Sequence, residues 1–198
     1  MEYYNWQNAK CDFKSIIHCI GTLGPDLIGI ELGTYRAESF CTILANCPNV
    51  KKLYGVDSYV PYEDCLKNPY DGTPTYIHSQ KDVDYYKLVA QHNIQYSGHK
   101  ERAELIIEDS KLALNRFEND FFDFILIDTY MNYEQAKNDI ETWYCKLKKG
   151  GLYVGHDADN QLAVQRAVRE FLVNNNIKSG LSVYDNTCVF KKLLKYLI

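Results

Sequence analysis

The sequence predicts an α/β fold: a three-layer sandwich on a mostly parallel seven-stranded sheet that ends in an antiparallel hairpin. Three observations carry this. Short apolar runs alternate with stretches of helical spacing, the pattern of a parallel sheet with helices on both faces. Five of the runs close on an acid or a His-Asp pair: Glu31, Asp57, Asp109, Asp128 and His156-Asp157. One stretch, LIGIELGTYRAESFCTIL from Leu27 to Leu44, joins a buried strand to a helix through a tight glycine turn.

In chain order, residues 10–23 put Phe13, Ile16, Ile17 and Ile20 on one helical face, ahead of Gly24-Pro25. The first strand spans 27–32, and the helix after it spans about 37–46 with Phe40, Ile43 and Leu44 facing the core. KKLYGVD, 51–57, is a second strand. Residues 58–79 show no period and hold three prolines and four tyrosines, Tyr59, Tyr62, Tyr70 and Tyr76. A loop of that length in a compact domain is usually functional. Helical spacing returns over 82–96 through Tyr85, Leu88, Val89 and His92, and Gly98 ends the helix. AELIIEDS (103–110) is a third strand, followed by a short helix over 111–117. FFDFILID (121–128) is the most apolar run and so the central strand. A helix over 133–147 leads to a fifth strand, KKGGLYVGHD, 148–157. A last helix at 161–173 precedes two β-rich runs around Asp185-Asn186, which read as a hairpin. There is no internal repeat, and residues 1–198 read as a single domain.

Composition bounds the function. The 198 residues carry a formal charge of −4 and a pI near 5.7, which argues against a nucleic-acid partner because such a partner needs a basic face. No apolar run approaches the roughly 20 residues of a membrane span, so no membrane association is expected. The N-terminus MEYYNWQNAK lacks the basic-then-apolar form of a secretory signal. Seven cysteines without a CxxC pair read as reduced, mostly buried side chains in a cytoplasmic protein.

Function should sit at one edge of the sheet. In open α/β sheets ligands bind at the carboxyl ends of the strands, near the switch point. Five polar endings on that edge mark it as the binding edge. Gly33 can take backbone angles closed to other residues and admits a ligand closely. Ser39 falls where the new helix presents free N–H groups, and Glu31 can accept hydrogen bonds. Asp57 follows Glu31 at the spacing from which an acid reaches a ribose diol. The loop is not GxGxxG, since Tyr35, Ala37 and Glu38 stand where glycines might be. That disfavours a nicotinamide-dependent oxidoreductase, whose pyrophosphate needs those glycines.

The pieces ELGTYRAES, YGVDSY, IIEDS and ILIDTYMNYEQAKNDIETWYCKLKKGGLYVGHD resemble class I S-adenosylmethionine-dependent methyltransferases. They are most similar to the O-methyltransferase branch acting on small molecules and macrolide sugars. The resemblance runs from about residue 27 to 192. It implies a Rossmann-like methyltransferase fold with S-adenosylmethionine as cofactor and a small hydroxylated acceptor, a saccharide or natural product. It places Glu31 and Gly33 at the methionine part, Asp57 on the ribose hydroxyls, and Asp109 at the adenine amino group with Ser110 beside it. The branch usually reads Asp-Gly-x-His-x-Tyr after the fourth strand. Here Asp128-Thr129-Tyr130-Met131-Asn132-Tyr133 replaces the His with Met131.

Methyl transfer from a sulfonium is an in-line displacement. The protein must align the nucleophile and remove its proton. With the family His gone, the catalytic group expected is Asp128, His156 and Asp157, and His156 is the nearest base. Asp128 and Asp157 could also hold Mg²⁺ or another divalent cation, as related enzymes do, or only cap loops and line the pocket. Residues 58–79 are the expected acceptor wall, with tyrosines that stack on a ring and still hydrogen-bond. A non-catalytic or differently reactive S-adenosylmethionine binder stays open, as does a homo-oligomer.

Overall fold

The first and third layers of the chain are helices, and each is fixed by an apolar stripe that only the sheet between them can cover. A computed structural model describes residues 13–61, 79–129, 133–156, 162–184 and 186–193. The strands are β1 (Leu27–Leu32), β2 (Val50–Asp57), β3 (Ala103–Ile107), β4 (Phe122–Ile127), β5 (Leu147–Gly155), β6 (Ser182–Tyr184) and β7 (Thr187–Lys191). The helices are α1 (Lys14–Gly21), α2 (Glu38–Asn46), α3 (Gln80–Tyr96), α4 (Ser110–Ala113), α5 (Tyr133–Trp143) and α6 (Leu162–Asn174). The seven strands form one sheet in the order β3-β2-β1-β4-β5-β7-β6. β1 to β5 pair in parallel, and β7 runs antiparallel to both β5 and β6.

Side-chain alternation along the strands separates two cores. Ile30, Leu32, Ile125 and Ile127 face α4, α5 and α6, where Ile140, Trp143, Val168 and Phe171 meet them. Phe124, Leu126, Leu53 and Val154 face α1, α2 and α3, meeting Ile16, Ile20, Phe40 and Ile43. β1 needs a glycine at its third position, because a Cβ on Gly29 would lie 2.0 Å from the Phe124 ring. The side-chain hydroxyl of Ser79 caps α3, accepting from the Asp82 N–H and donating to its carboxylate.

The register brings the strand ends level. Leu32 lies opposite Val56 on one side and Ile127 on the other, and Ile127 lies opposite Gly155. The ladder continues one residue further, with Gly33 N donating to Val56 O, Asp128 N to Leu32 O and His156 N to Ile127 O. Gly33, Asp57, Asp128 and His156 therefore share one edge, on either side of the switch point between β1 and β4.

Some boundaries differ from the sequence expectation for local reasons. β3 stops at Ile107 rather than running to Asp109, because the Asp109 carboxylate accepts from Lys111 N and starts α4. The helix expected over 111–117 is the single turn of α4 followed by a 3-10 turn at Leu114–Arg116. α5 ends at Trp143, and a 3-10 turn, Tyr144–Lys146, leads into β5. Asn186 makes the hairpin turn at φ 60°, the left-handed region that Asn tolerates. Among the described residues no helix is long and apolar enough to cross a membrane. Cys19, Cys41, Cys47 and Cys188 are buried, while Cys145 is exposed. Burial pushes the Cys47 thiol up to about 11 and the Cys188 thiol to about 12, so neither serves as a nucleophile near neutral pH.

Candidate active site at the carboxyl edge of the sheet

A cavity of about 370 Å³ opens over the ends of β1, β2, β3 and β4. Gly33, Ser39, Asp57, Asp109, Ser110 and Asp128 line it, so six of the nine site residues expected from sequence share one wall system. That size falls in the range of small-molecule sites.

Glu31 lies behind this wall. It is fully buried on the α2 side of β1, and Ser39 Oγ donates to its Oε1. Its second oxygen, Oε2, is buried with no hydrogen-bond partner among the described residues. Desolvation pushes the Glu31 carboxyl well above its ordinary range. Ser39 and His156 pull it back, while the charges of Asp128 and Asp57 push it further up. An orphaned buried carboxylate oxygen is uncommon and points to a missing partner.

Gly33 is demanded by the chain itself. Its φ is +85°, and a Cβ there would come 2.2 Å from the Asp128 carbonyl oxygen. The glycine lets the end of β1 pack directly on the end of β4. Two of the three positions that a GxGxxG loop would give to glycine keep glycine-like geometry without it, while Glu38 starts α2. Tyr35 has φ 47° and Ala37 has φ 60°. Tyr59, across the cavity, has φ 48°. Such strain in non-glycine residues persists only where surroundings enforce it.

Asp57 supplies that enforcement. Its Oδ2 accepts from Tyr35 N at 2.8 Å, and its Oδ1 accepts from Tyr59 N at 2.9 Å. Burial raises its pKa, and the backbone N–H groups of Tyr59, Tyr35 and Thr34 lower it. The acceptor sites that these N–H groups leave open can take a ligand hydroxyl. Tyr59 Oη donates to the Tyr35 carbonyl at 2.8 Å, and the residue is 3% exposed, so its hydroxyl ties the two loops together. The Tyr35 and Tyr86 rings meet at 4.6 Å on the same side.

On the other side of the switch point, His156 Nδ1 lies 3.1 Å from Asp128 Oδ1. His156 is 8% exposed, and its ring packs against Phe13 with centroids 5.6 Å apart. Phe13 and Asp128 line the cavity. An aspartate on Nδ1 favours the tautomer whose proton sits there and whose basic nitrogen is Nε2. Asp157, Met131, Tyr62, Tyr70 and Tyr76 lie outside the described residues. Among the described residues no three His, Cys, Asp or Glu side chains converge on a point that could hold a metal ion.

Sequence reasoning passed over several cavity residues. Thr129 and Gln135 line the cavity and donate to Asp139, a fully buried carboxylate on α5. The signal was present: Asp139 interrupts the apolar face made by Ala136, Ile140 and Trp143. Phe13, just ahead of α1, and Tyr86, on α3, reach the cavity from segments distant in sequence, which no local pattern announces.

Comparison with known proteins fits this geometry. A model of the family "Methyltransferase domain" matches residues 30–158. No curated protein matches the chain. Among solved structures, a protein from Corynebacterium glutamicum superposes with a TM-score of 0.65 at 13% identity, over 93% of this chain and 81% of its own. One from Klebsiella pneumoniae, assigned provisionally as an O-methyltransferase, gives 0.63 at 14% identity over 94% and 82%. The SAH-bound methyltransferase of Podospora anserina gives 0.59 at 13% identity over 83% and 71%. At such identities these likenesses establish the fold. With the family model spanning the strand ends that build the cavity, the chain belongs to the class I S-adenosylmethionine-dependent methyltransferase family.

Proposed function

We propose that this chain is an S-adenosylmethionine-dependent O-methyltransferase acting on a small hydroxylated acceptor, a saccharide or natural-product-like molecule. The observation that carries the reading is Asp128 on the cavity wall with His156 Nδ1 3.1 Å from its carboxylate, across the switch point from Asp57 and Asp109.

The residues fit the cofactor. Asp57 can take the ribose hydroxyls, and Asp109 with Ser110 the adenine edge. The cofactor's methionine end is cationic at its sulfonium and ammonium groups. Asp57 and Asp128 set a negative potential there, and their charges push the Glu31 carboxyl up. Bound in the cavity, the cofactor supplies a methyl group already activated on sulfur.

The chain's own residues then have three tasks. Phe13, Tyr35 and Tyr86 exclude water from the cavity's apolar side. Asp128 holds the His156 ring with its Nδ1 proton toward the carboxylate. His156 would accept the acceptor hydroxyl's proton at Nε2, the nitrogen that its contact with Asp128 leaves basic. Asp128 does not lose its charge, and the imidazolium formed is stabilised beside it. A divalent cation stays a separate proposal, with Asp128 as its one described ligand, and no step depends on it.

The test pairs binding with turnover. His156→Ala and Asp128→Asn should lower methyl transfer to a hydroxylated acceptor panel by about 10²-fold or more. Both should keep S-adenosylhomocysteine affinity near that of the parent. Full turnover in either variant would remove the pair from the chemistry. Cofactor binding without turnover on any hydroxylated acceptor would favour a non-catalytic binder.

A further inference from the structure

Asp139 has a fully buried side chain, yet it does not line the cavity. Its carboxylate gathers donors from three segments. Thr129 Oγ1 donates at 2.7 Å, Gln135 Nε2 reaches both oxygens at 3.0 Å, and Ser110 Oγ donates at 3.4 Å. All three donors do line the cavity. Burial raises the Asp139 carboxyl, while these donors and the nearby Lys111 charge draw it back. A residue that only packed α5 on the sheet would be apolar, as its neighbours Ala136, Ile140 and Trp143 are. Burying a carboxylate costs free energy unless its hydrogen bonds are made, so the three donors are held as firmly as the acid.

The donors belong to opposite sides of the site. Ser110 follows Asp109, whose carboxylate starts α4 beside the expected adenine position. Thr129 follows Asp128, which holds His156. We infer that Asp139 is a positioning residue that joins these two sides, so that cofactor affinity and the alignment of Asp128 on His156 both depend on one buried carboxylate. This role presupposes cofactor binding in the cavity, as proposed for the chain. Asp139 touches neither reactant. It acts by removing the freedom of Ser110 and Thr129, and through them of the two turns that carry the site.

Four variants of the full chain test it: Asp139→Ala, Asp139→Asn, Thr129→Val and Ser110→Ala. Three readouts are taken on each: melting temperature, S-adenosylhomocysteine affinity by calorimetry, and the His156 imidazole titration by NMR, whose facing charges are Asp128 and Glu31. Asp139→Ala should weaken affinity about tenfold and lower the His156 midpoint. Asp139→Asn, which keeps one acceptor oxygen, should recover part of both. Thr129→Val should move the His156 midpoint with affinity within about twofold, and Ser110→Ala should do the reverse. A purely structural role would move the melting temperature of Asp139→Ala and Asp139→Asn without a matched partial recovery of affinity and His156 midpoint. A folded Asp139→Ala protein with parental affinity and parental His156 titration would overturn the inference. If that variant does not fold, the two single-donor variants decide, and their failure to split overturns it equally. Absence of S-adenosylhomocysteine binding by the parent would instead sink the cofactor reading.

Discussion

Ser39 and Glu31 are joined by a hydrogen bond from hydroxyl to carboxylate that leaves Glu31 Oε2 buried and unpaired among the described residues. The first turn of α2 thus holds a charge that the sheet interior disfavours. An acid in this setting destabilises the free protein and is relieved by a cationic ligand.

That sets a pH dependence with a definite sign. The Glu31 pKa is raised in the fold above its ordinary value of 4.5, chiefly by burial. Between 4.5 and the raised value the folded state binds more protons than the unfolded chain. Stability of the free protein therefore falls as pH climbs through that window. Glu31→Gln removes the titration. The variant should melt higher than the parent near neutral pH, with the gap closing toward pH 4.5, and should bind S-adenosylmethionine more weakly. Melting curves across pH on both proteins check it, and a gap that does not depend on pH would refute the assignment.

Asp57 both organises two loops and faces the cavity. Asp57→Ala should weaken S-adenosylhomocysteine binding by about 1–3 kcal/mol, since it frees the Tyr35 and Tyr59 N–H groups as well as the ligand hydroxyls. The left-handed turns at Tyr35 and Tyr59 should relax in the same variant. Calorimetry showing unchanged affinity would take Asp57 out of the cofactor site.

Arg102 should matter for stability and not for binding. Its guanidinium donates to the carbonyls of Leu44, Cys47 and Val50, closing the carboxyl end of α2 onto the start of β2. Arg102→Ala removes the guanidinium donors from those carbonyls and should cost about 1–3 kcal/mol in denaturant unfolding. Lysine lacks the forked donor geometry and should restore only part of it. Cofactor affinity should stay near the parent's; a loss matching that of Asp57→Ala would contradict this separation.

The alternation of apolar runs with helical stripes, read along one dimension, was enough to assign the layers, the seven strands and the edge over which the cavity opens. Periodicity reports which face of an element is buried, and in a parallel α/β sheet that nearly determines the layer order. β1 was legible to the residue, Leu27–Leu32, because Ile-rich burial on both faces and flanking Pro25 and Gly33 leave little choice. Glu31, Asp57 and Asp128 were legible as strand-end acids for the same reason. Other features were decided by contacts between segments far apart in sequence. Gly33 is a glycine because the Asp128 carbonyl fills the space of its side chain. Tyr35 and Tyr59 are left-handed because Asp57 holds their N–H groups. His156 meets Asp128 through the register of β4 and β5, which sets their ends level across 28 residues of chain. Asp139 gains its donors only when β3, β4 and α5 close on one another. Local sequence encodes each element's burial, whereas a hydrogen bond between elements exists only once packing has fixed their separation.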